Sequence, residues 1–161
     1  MNDAQAALWE KLKHFRLDEP GAALPFTARL ARENGWTLHF ALRVVHEYRR
    51  FLFLACEAGH PVTPSVEVDQ VWHLHLVYTH SYWKDLCRDL LSREIHHGPT
   101  QGGSEALEGH RNLYTETLAS YERLFGQKPP ADVWPAVEKR FASFELQWVD
   151  RARYWLLRKW W

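Results

Sequence analysis

One stretch of this chain combines acidic and imidazole side chains at a spacing suited to binding a metal ion. It covers residues 65–83 and contains Asp69, His73, His75 and His80. Each residue of a helix advances by about 100°, so Asp69 and His73 lie one turn apart on one face. His80 follows on that face two turns later, whereas His75 lies on a different face. An aspartate and a histidine at positions i and i+4 can share one ion, as two histidines do in a helical HExxH pair.

Two ligands do not complete a metal site, and the loop predicted over 92–104 offers more. It carries the adjacent pair His96 and His97, and His110 follows in the first turns of the next helix. The Gly-Pro pair after His97 keeps this part of the chain out of a helix, which leaves the imidazoles free to turn toward a neighbour. Three protein ligands and a water would form an open site, whereas four would form a closed structural one.

The donor types indicate which ions and which chemistry would suit such a site. Histidine and carboxylate ligands without thiolates suit Zn²⁺, and two histidines with one carboxylate also suit non-haem Fe²⁺. A water bound to the ion could be activated for hydrolysis, with His75 or Glu94 as its proton acceptor. The chain has no nucleophile elbow, P-loop or dinucleotide-binding motif, so acyl transfer and nucleotide binding have no local support. No reaction or substrate is predicted.

A metal-free interpretation explains the same residues. Histidines on helices among aromatic residues are often hydrogen-bonded core groups, and Asp69 would then only orient His73. The protein would in that case be an interaction module in which the histidines and the 9 tryptophans serve packing and partner contacts.

Composition excludes several classes of protein. The 161 residues fit one domain, and 20 basic against 20 acidic side chains argue against nucleic-acid binding. The longest apolar run, 51–56, is six residues, too short for a transmembrane helix. Only 2 cysteines are present, so neither a disulfide framework nor a thiolate metal site is expected. The N-terminus lacks the pattern of a signal peptide, which favours a cytoplasmic protein.

Helical periodicity predicts an all-α fold: a single domain over 1–161, built as an irregular bundle of five to six helices with one long loop rich in His, Gly and Pro. The predicted helices cover 3–16, 26–34, 38–58, 66–91, 105–125 and 135–158. Asp3, Thr37 and Ser65 are suitable N-caps. Gly59 suits the left-handed position that ends a helix.

The C-terminal segment, 148–161, is unusual because it combines 4 Trp with 3 Arg and 1 Lys. Its apolar residues at helical spacing favour packing of a helix over about 135–160 on the domain. The additional basic and aromatic side chains also suit a surface that docks a protein partner.

Several of these residues also occur together in a known family. The run Val68–His75 (VDQVWHLH) is followed by His96-His97-Gly98-Pro99 and by a helix that carries Tyr114, Thr117 and Tyr121. In this the chain resembles the glycine-rich domain-containing protein family (the GRDP-like domain of unknown function). The resemblance covers about residues 60–135 and is strongest to the short bacterial members. The glycine-rich tail that names the family is absent, since the chain has only 8 Gly.

The resemblance implies which residues belong to the site. Asp69, Trp72, His73, His75 and His97 match the family motif, whereas His80 does not. It therefore favours His97 over the adjacent histidine as the third metal ligand beside Asp69 and His73. The resemblance implies no reaction.

Overall fold

The computed structural model describes residues 1–98 and 104–142, and in these ranges the chain is helical without any strand. The all-α prediction is therefore confirmed. The helices are α1 (Asp3–His14), α2 (Phe26–Asn34), α3 (Leu38–Glu57), α4 (Val66–Val77), a π-helix (His80–Leu91), α5 (Ser104–Phe125) and α6 (Val137–Arg140). None of the helices in the described ranges has the length and hydrophobicity that a membrane crossing requires. Most of the helix predicted over 135–158, the C-terminal segment 148–161 and loop positions 99–103 lie outside the described residues.

Helix α3 is the centre of the fold, since α1, α2, α4 and α5 all pack against it. Apolar side chains recur along it every three or four residues and are buried on several sides. The fully buried ones are Ala41, Val44, Tyr48, Phe51, Leu52, Phe53 and Leu54. Burying one large apolar side chain stabilises a fold by about 1.5–3 kcal/mol, so this helix anchors the bundle. It joins α4 through ring contacts such as Phe51 with Trp72, whose centroids are 5.0 Å apart.

Local capping determines where the helices begin and end. Thr37 and Ser65 cap α3 and α4 as predicted, since each side chain accepts a hydrogen bond from the backbone N–H three residues later, at 3.2 Å. Gly59 has φ +82° just after α3, a conformation that glycine adopts without strain. The predicted cap of α1 is wrong. Asn2 rather than Asp3 is the N-cap, and it forms a capping box with Gln5, the third residue of the helix.

The prediction of one helix over 66–91 is wrong, and the error changes the site. Helix α4 ends at Val77, because the backbone of the next residue, Tyr78 (φ −82°, ψ 63°), is not helical. The Tyr78 ring packs on Phe26, with centroids 5.3 Å apart, and this contact with α2 favours the break. The chain resumes at His80 as a π-helix, in which residues five apart lie above one another. His80 therefore contacts Asp85 instead, with Nδ1 and Oδ2 3.3 Å apart.

Candidate metal centre

Helix α4 positions the first two members of the site. Its N-cap Ser65 fixes the start of the helix, and Asp69 and His73 follow one turn apart on its outer face. The opposite face is buried, with Val68 and Val71 fully inaccessible to solvent, so the helix cannot turn these polar side chains inward. The Asp69 Oδ2 and His73 Nε2 atoms lie 3.8 Å apart.

The third member, His97, comes from the segment that follows the π-helix. In this segment Ile95 is buried, His96 is exposed and His97 is partly buried, so Ile95 and His97 face the protein and His96 faces solvent. The His97 Nε2 atom lies 2.8 Å from Asp69 Oδ1, and its ring centroid is 4.5 Å from that of His73.

These three side chains can share one ion. Their ligand atoms all lie within 4.8 Å of one another, and among the described residues they form the only such group of three histidine, cysteine or acidic side chains. Ligands around a tetrahedral Zn²⁺ at about 2.0–2.1 Å are about 3.3 Å apart. The two Asp69 distances, 2.8 and 3.8 Å, lie on either side of that value. The 2.8 Å contact is made by Oδ1 and the 3.8 Å contact by Oδ2, so both carboxylate oxygens of Asp69 face the two imidazoles.

Exposure differs across the group and leaves one side open. The Asp69 and His97 side chains are 25% and 19% exposed, whereas His73 is 52% exposed. The closed side is formed by the Trp72 ring, whose centroid is 4.4 Å from that of His97. An ion held here would therefore meet solvent on the His73 side and protein on the Trp72 side.

The other histidines named from the sequence lie apart from this group. His96 faces outward, where its Nε2 atom is 3.1 Å from the Glu94 carboxylate and its ring packs on Trp83. Glu94 is likewise exposed. His110 is half-buried on α5, and neither it nor His96 belongs to the group of three.

The structure places His75 in the core rather than at the site. The residue is fully buried, and its Nδ1 and Nε2 atoms lie 2.9 Å from Tyr48 Oη and 3.1 Å from Ser81 Oγ. Burial lowers the pKa of His75 to about 3, because the charged imidazole would lose its hydration. A buried group with so low a pKa is a poor proton acceptor for water at an exposed ion. The sequence also offered His75, like His96 and His110, as a lower-ranked metal ligand, and the core position of His75 does not fit that role either.

The sequence reasoning overlooked one buried polar cluster on the other side of α3. The Glu47 Oε2 atom accepts hydrogen bonds from Tyr121 Oη and Trp134 Nε1, at 2.9 and 3.0 Å. Its Oε1 atom lies 3.2 Å from Arg50 Nη1. Burial raises the pKa of Glu47, although Arg50 opposes this shift. The available signal was an acidic residue inside the apolar stripe of α3, beside Val44 and Tyr48. Through these hydrogen bonds Tyr121 connects α5, and Trp134 the 130–135 segment, to Glu47 on α3.

Comparisons of this chain with protein-family models, with curated proteins and with solved structures returned no match. The chemistry of the site is therefore inferred from the positions of Asp69, His73 and His97 themselves.

Proposed function

We propose that this protein is a divalent-metal-binding helical domain in which Asp69, His73 and His97 hold one ion. The observation that carries the proposal is the convergence of one oxygen and two nitrogen donors within 4.8 Å, from two segments 28 residues apart in the chain. A hard carboxylate and two imidazoles suit Zn²⁺ first, and Fe²⁺ is the alternative.

The proposed site is an open one. Three protein ligands leave the fourth position of a tetrahedral ion free, which is typical of catalytic rather than structural zinc. The free position would face the exposed His73 side, where a water or a small anionic ligand can enter. Zinc would make that water acidic enough to act in hydrolysis, and iron would use two or three free positions. Neither reaction is assigned to this chain.

The family resemblance supports the same three residues. Asp69, His73 and His97 all match the motif through which the chain resembles the glycine-rich domain-containing proteins. Membership of that family is part of our proposal, and it adds no substrate.

One observation favours the metal-free alternative. At 2.8 Å, the contact of His97 Nε2 with Asp69 Oδ1 is already a good hydrogen bond in which the ring N–H donates to the carboxylate. Such a bond would attach the segment around His97 to α4 without any ion. The protein would then be an interaction module in which this pair is structural.

Measurement of bound metal distinguishes the metal-binding domain from the metal-free interaction module. Untagged protein is purified without chelator, dialysed against Zn²⁺ or Fe²⁺, and its metal content is measured by mass spectrometry. We expect near-stoichiometric metal in the wild type and its loss in Asp69→Ala, His73→Ala and His97→Ala, with circular dichroism confirming that each variant is folded.

Two histidine variants outside the group are the matched controls. His96→Ala removes the exposed neighbour of His97. His80→Ala removes the histidine that an unbroken helix would place beside Asp69 and His73, but that lies beside Asp85 instead. Both should keep the wild-type metal content. Folded wild-type protein that takes up neither ion, or equal metal content in all variants, would refute the metal site and leave the interaction module.

A further inference from the structure

A buried hydroxyl group links the two segments that form the candidate metal centre. Tyr82, the third residue of the π-helix, is fully buried. Its Oη atom accepts a hydrogen bond from Trp72 Nε1 at 2.9 Å and donates one to the carbonyl oxygen of Ile95. Trp72 belongs to α4 and Ile95 to the segment that carries His97, so one hydroxyl joins both.

Both ends of this hydrogen-bonded chain reach His97. Ile95 precedes His97 by two residues, so the hydrogen bond to its carbonyl oxygen holds the backbone close to the point from which the imidazole projects. At the other end, the Trp72 ring lies against the imidazole, with centroids 4.4 Å apart and planes at 57°. Moving either end would displace His97 from Asp69.

We propose that Tyr82 is a positioning residue whose hydroxyl holds His97 where it shares an ion with Asp69 and His73. That His97 binds an ion rests on the proposed function. That Tyr82 holds the imidazole rests on the hydrogen bonds alone, and the two claims can fail separately.

The surroundings of Tyr82 suit this role. Its ring packs edge-on against His75, with centroids 5.1 Å apart and planes at 83°, so the ring itself is held by the core. Burial raises the pKa of Tyr82, and the hydroxyl therefore keeps its proton and continues to donate to Ile95. Groups that hydrogen-bond a metal ligand directly change metal affinity by about 10- to 100-fold when they are removed. Tyr82 acts on His97 through Ile95 and Trp72, so the lower end of this range applies.

The test removes one oxygen atom. In Tyr82→Phe, Zn²⁺ affinity is measured by competition with a chromophoric chelator, and we expect it to fall by about 10-fold with unchanged stoichiometry. The visible absorption of bound Co²⁺ should also change, because His97 would occupy its place less uniformly. Tyr114→Phe is the matched control: that tyrosine is also fully buried and donates to a backbone carbonyl, of Pro135, at 2.8 Å.

A readout without metal separates this inference from the proposed function. In metal-free protein the Trp72 ring current should displace the His97 ring-proton resonances from their positions in an unstructured peptide, and Tyr82→Phe should reduce that displacement. If the wild type binds no metal and the displacement is reduced, the proposed function falls and Tyr82 still positions His97. Wild-type affinity and unchanged His97 shifts in Tyr82→Phe would overturn the inference, as would an equal loss of affinity in Tyr114→Phe.

Discussion

Acidification should destabilise this protein through His75. The imidazole is fully buried between the hydroxyl groups of Tyr48 and Ser81 and lies within 6.1 Å, centroid to centroid, of the rings of Phe15 and Phe26. Either hydroxyl can donate or accept, so a neutral ring is satisfied in both tautomers. A protonated ring would carry a charge into this aromatic surrounding, and desolvation lowers its pKa to about 3.

The direction of the pH effect follows from the two states of the chain. A histidine in the unfolded chain takes up a proton near pH 6.5, whereas the folded protein resists until about pH 3. The stability that His75 contributes as a neutral core group is therefore complete above pH 6.5 and is lost as the pH falls toward 3. One pH unit corresponds to about 1.4 kcal/mol, so about 2 kcal/mol should be lost between pH 7 and pH 5.

Urea unfolding of the wild type and of His75→Asn at pH 7, 6 and 5 measures this loss. Asparagine places its amide at the Nδ1 position, so it keeps a partner for Tyr48 and removes the titration. The other histidines are present in both proteins, so the difference between the two plots of unfolding free energy against pH isolates the contribution of His75. His39→Asn, at an exposed position, should keep the wild-type slope. Parallel loss of stability in the wild type and His75→Asn would show that the buried imidazole does not resist protonation.

Two further substitutions test the core and a helix start. Glu47→Leu should lower the free energy of unfolding by about 3–5 kcal/mol, because it leaves Tyr121, Trp134 and the Arg50 charge without their buried acceptor. Glu47→Gln keeps a polar group there and should lower it less. Urea unfolding measures both, and a wild-type midpoint for Glu47→Leu would contradict a stabilising role of these hydrogen bonds. Asp18→Ala should cost about 1–2 kcal/mol in thermal unfolding, because the Asp18 carboxylate accepts hydrogen bonds from the backbone N–H and hydroxyl of Thr27, at 2.8 and 2.6 Å, in the first turn of α2. Glu19→Ala, at the neighbouring exposed position, should change the free energy of unfolding by less than about 0.5 kcal/mol. An equal loss in both variants would argue against a stabilising role of the hydrogen bonds between Asp18 and Thr27.

The helices were predictable because their signals are local. Apolar residues three or four apart and the caps Thr37 and Ser65 determine where α3 and α4 begin, and these groups act within one turn of the chain. The same periodicity correctly placed Asp69 and His73 one turn apart on an exposed face, because that relation depends only on the geometry of a helix.

The break at Tyr78 had no such signal. The apolar pattern continues through it, and no glycine or proline marks it. Its backbone conformation accompanies packing of the Tyr78 ring on Phe26, a residue 52 positions away in the chain. Tertiary packing therefore overrode helix propensity, and it moved His80 away from the site that the unbroken helix would have given it.

Sequence by itself thus determined the class of fold, most helix starts and the pair Asp69 and His73. The spacing of residues did not select His97, which only the family resemblance favoured, and the tertiary structure is what brings it to that pair. Burial, in turn, separates His75, with its core hydrogen bonds, from His73 two residues earlier. The physical reason is that spacing along a helix is a property of neighbouring residues, whereas approach between distant segments depends on the whole core. Here that approach depends on Trp72 and on the hydroxyl group of Tyr82, which joins α4 to the backbone of Ile95.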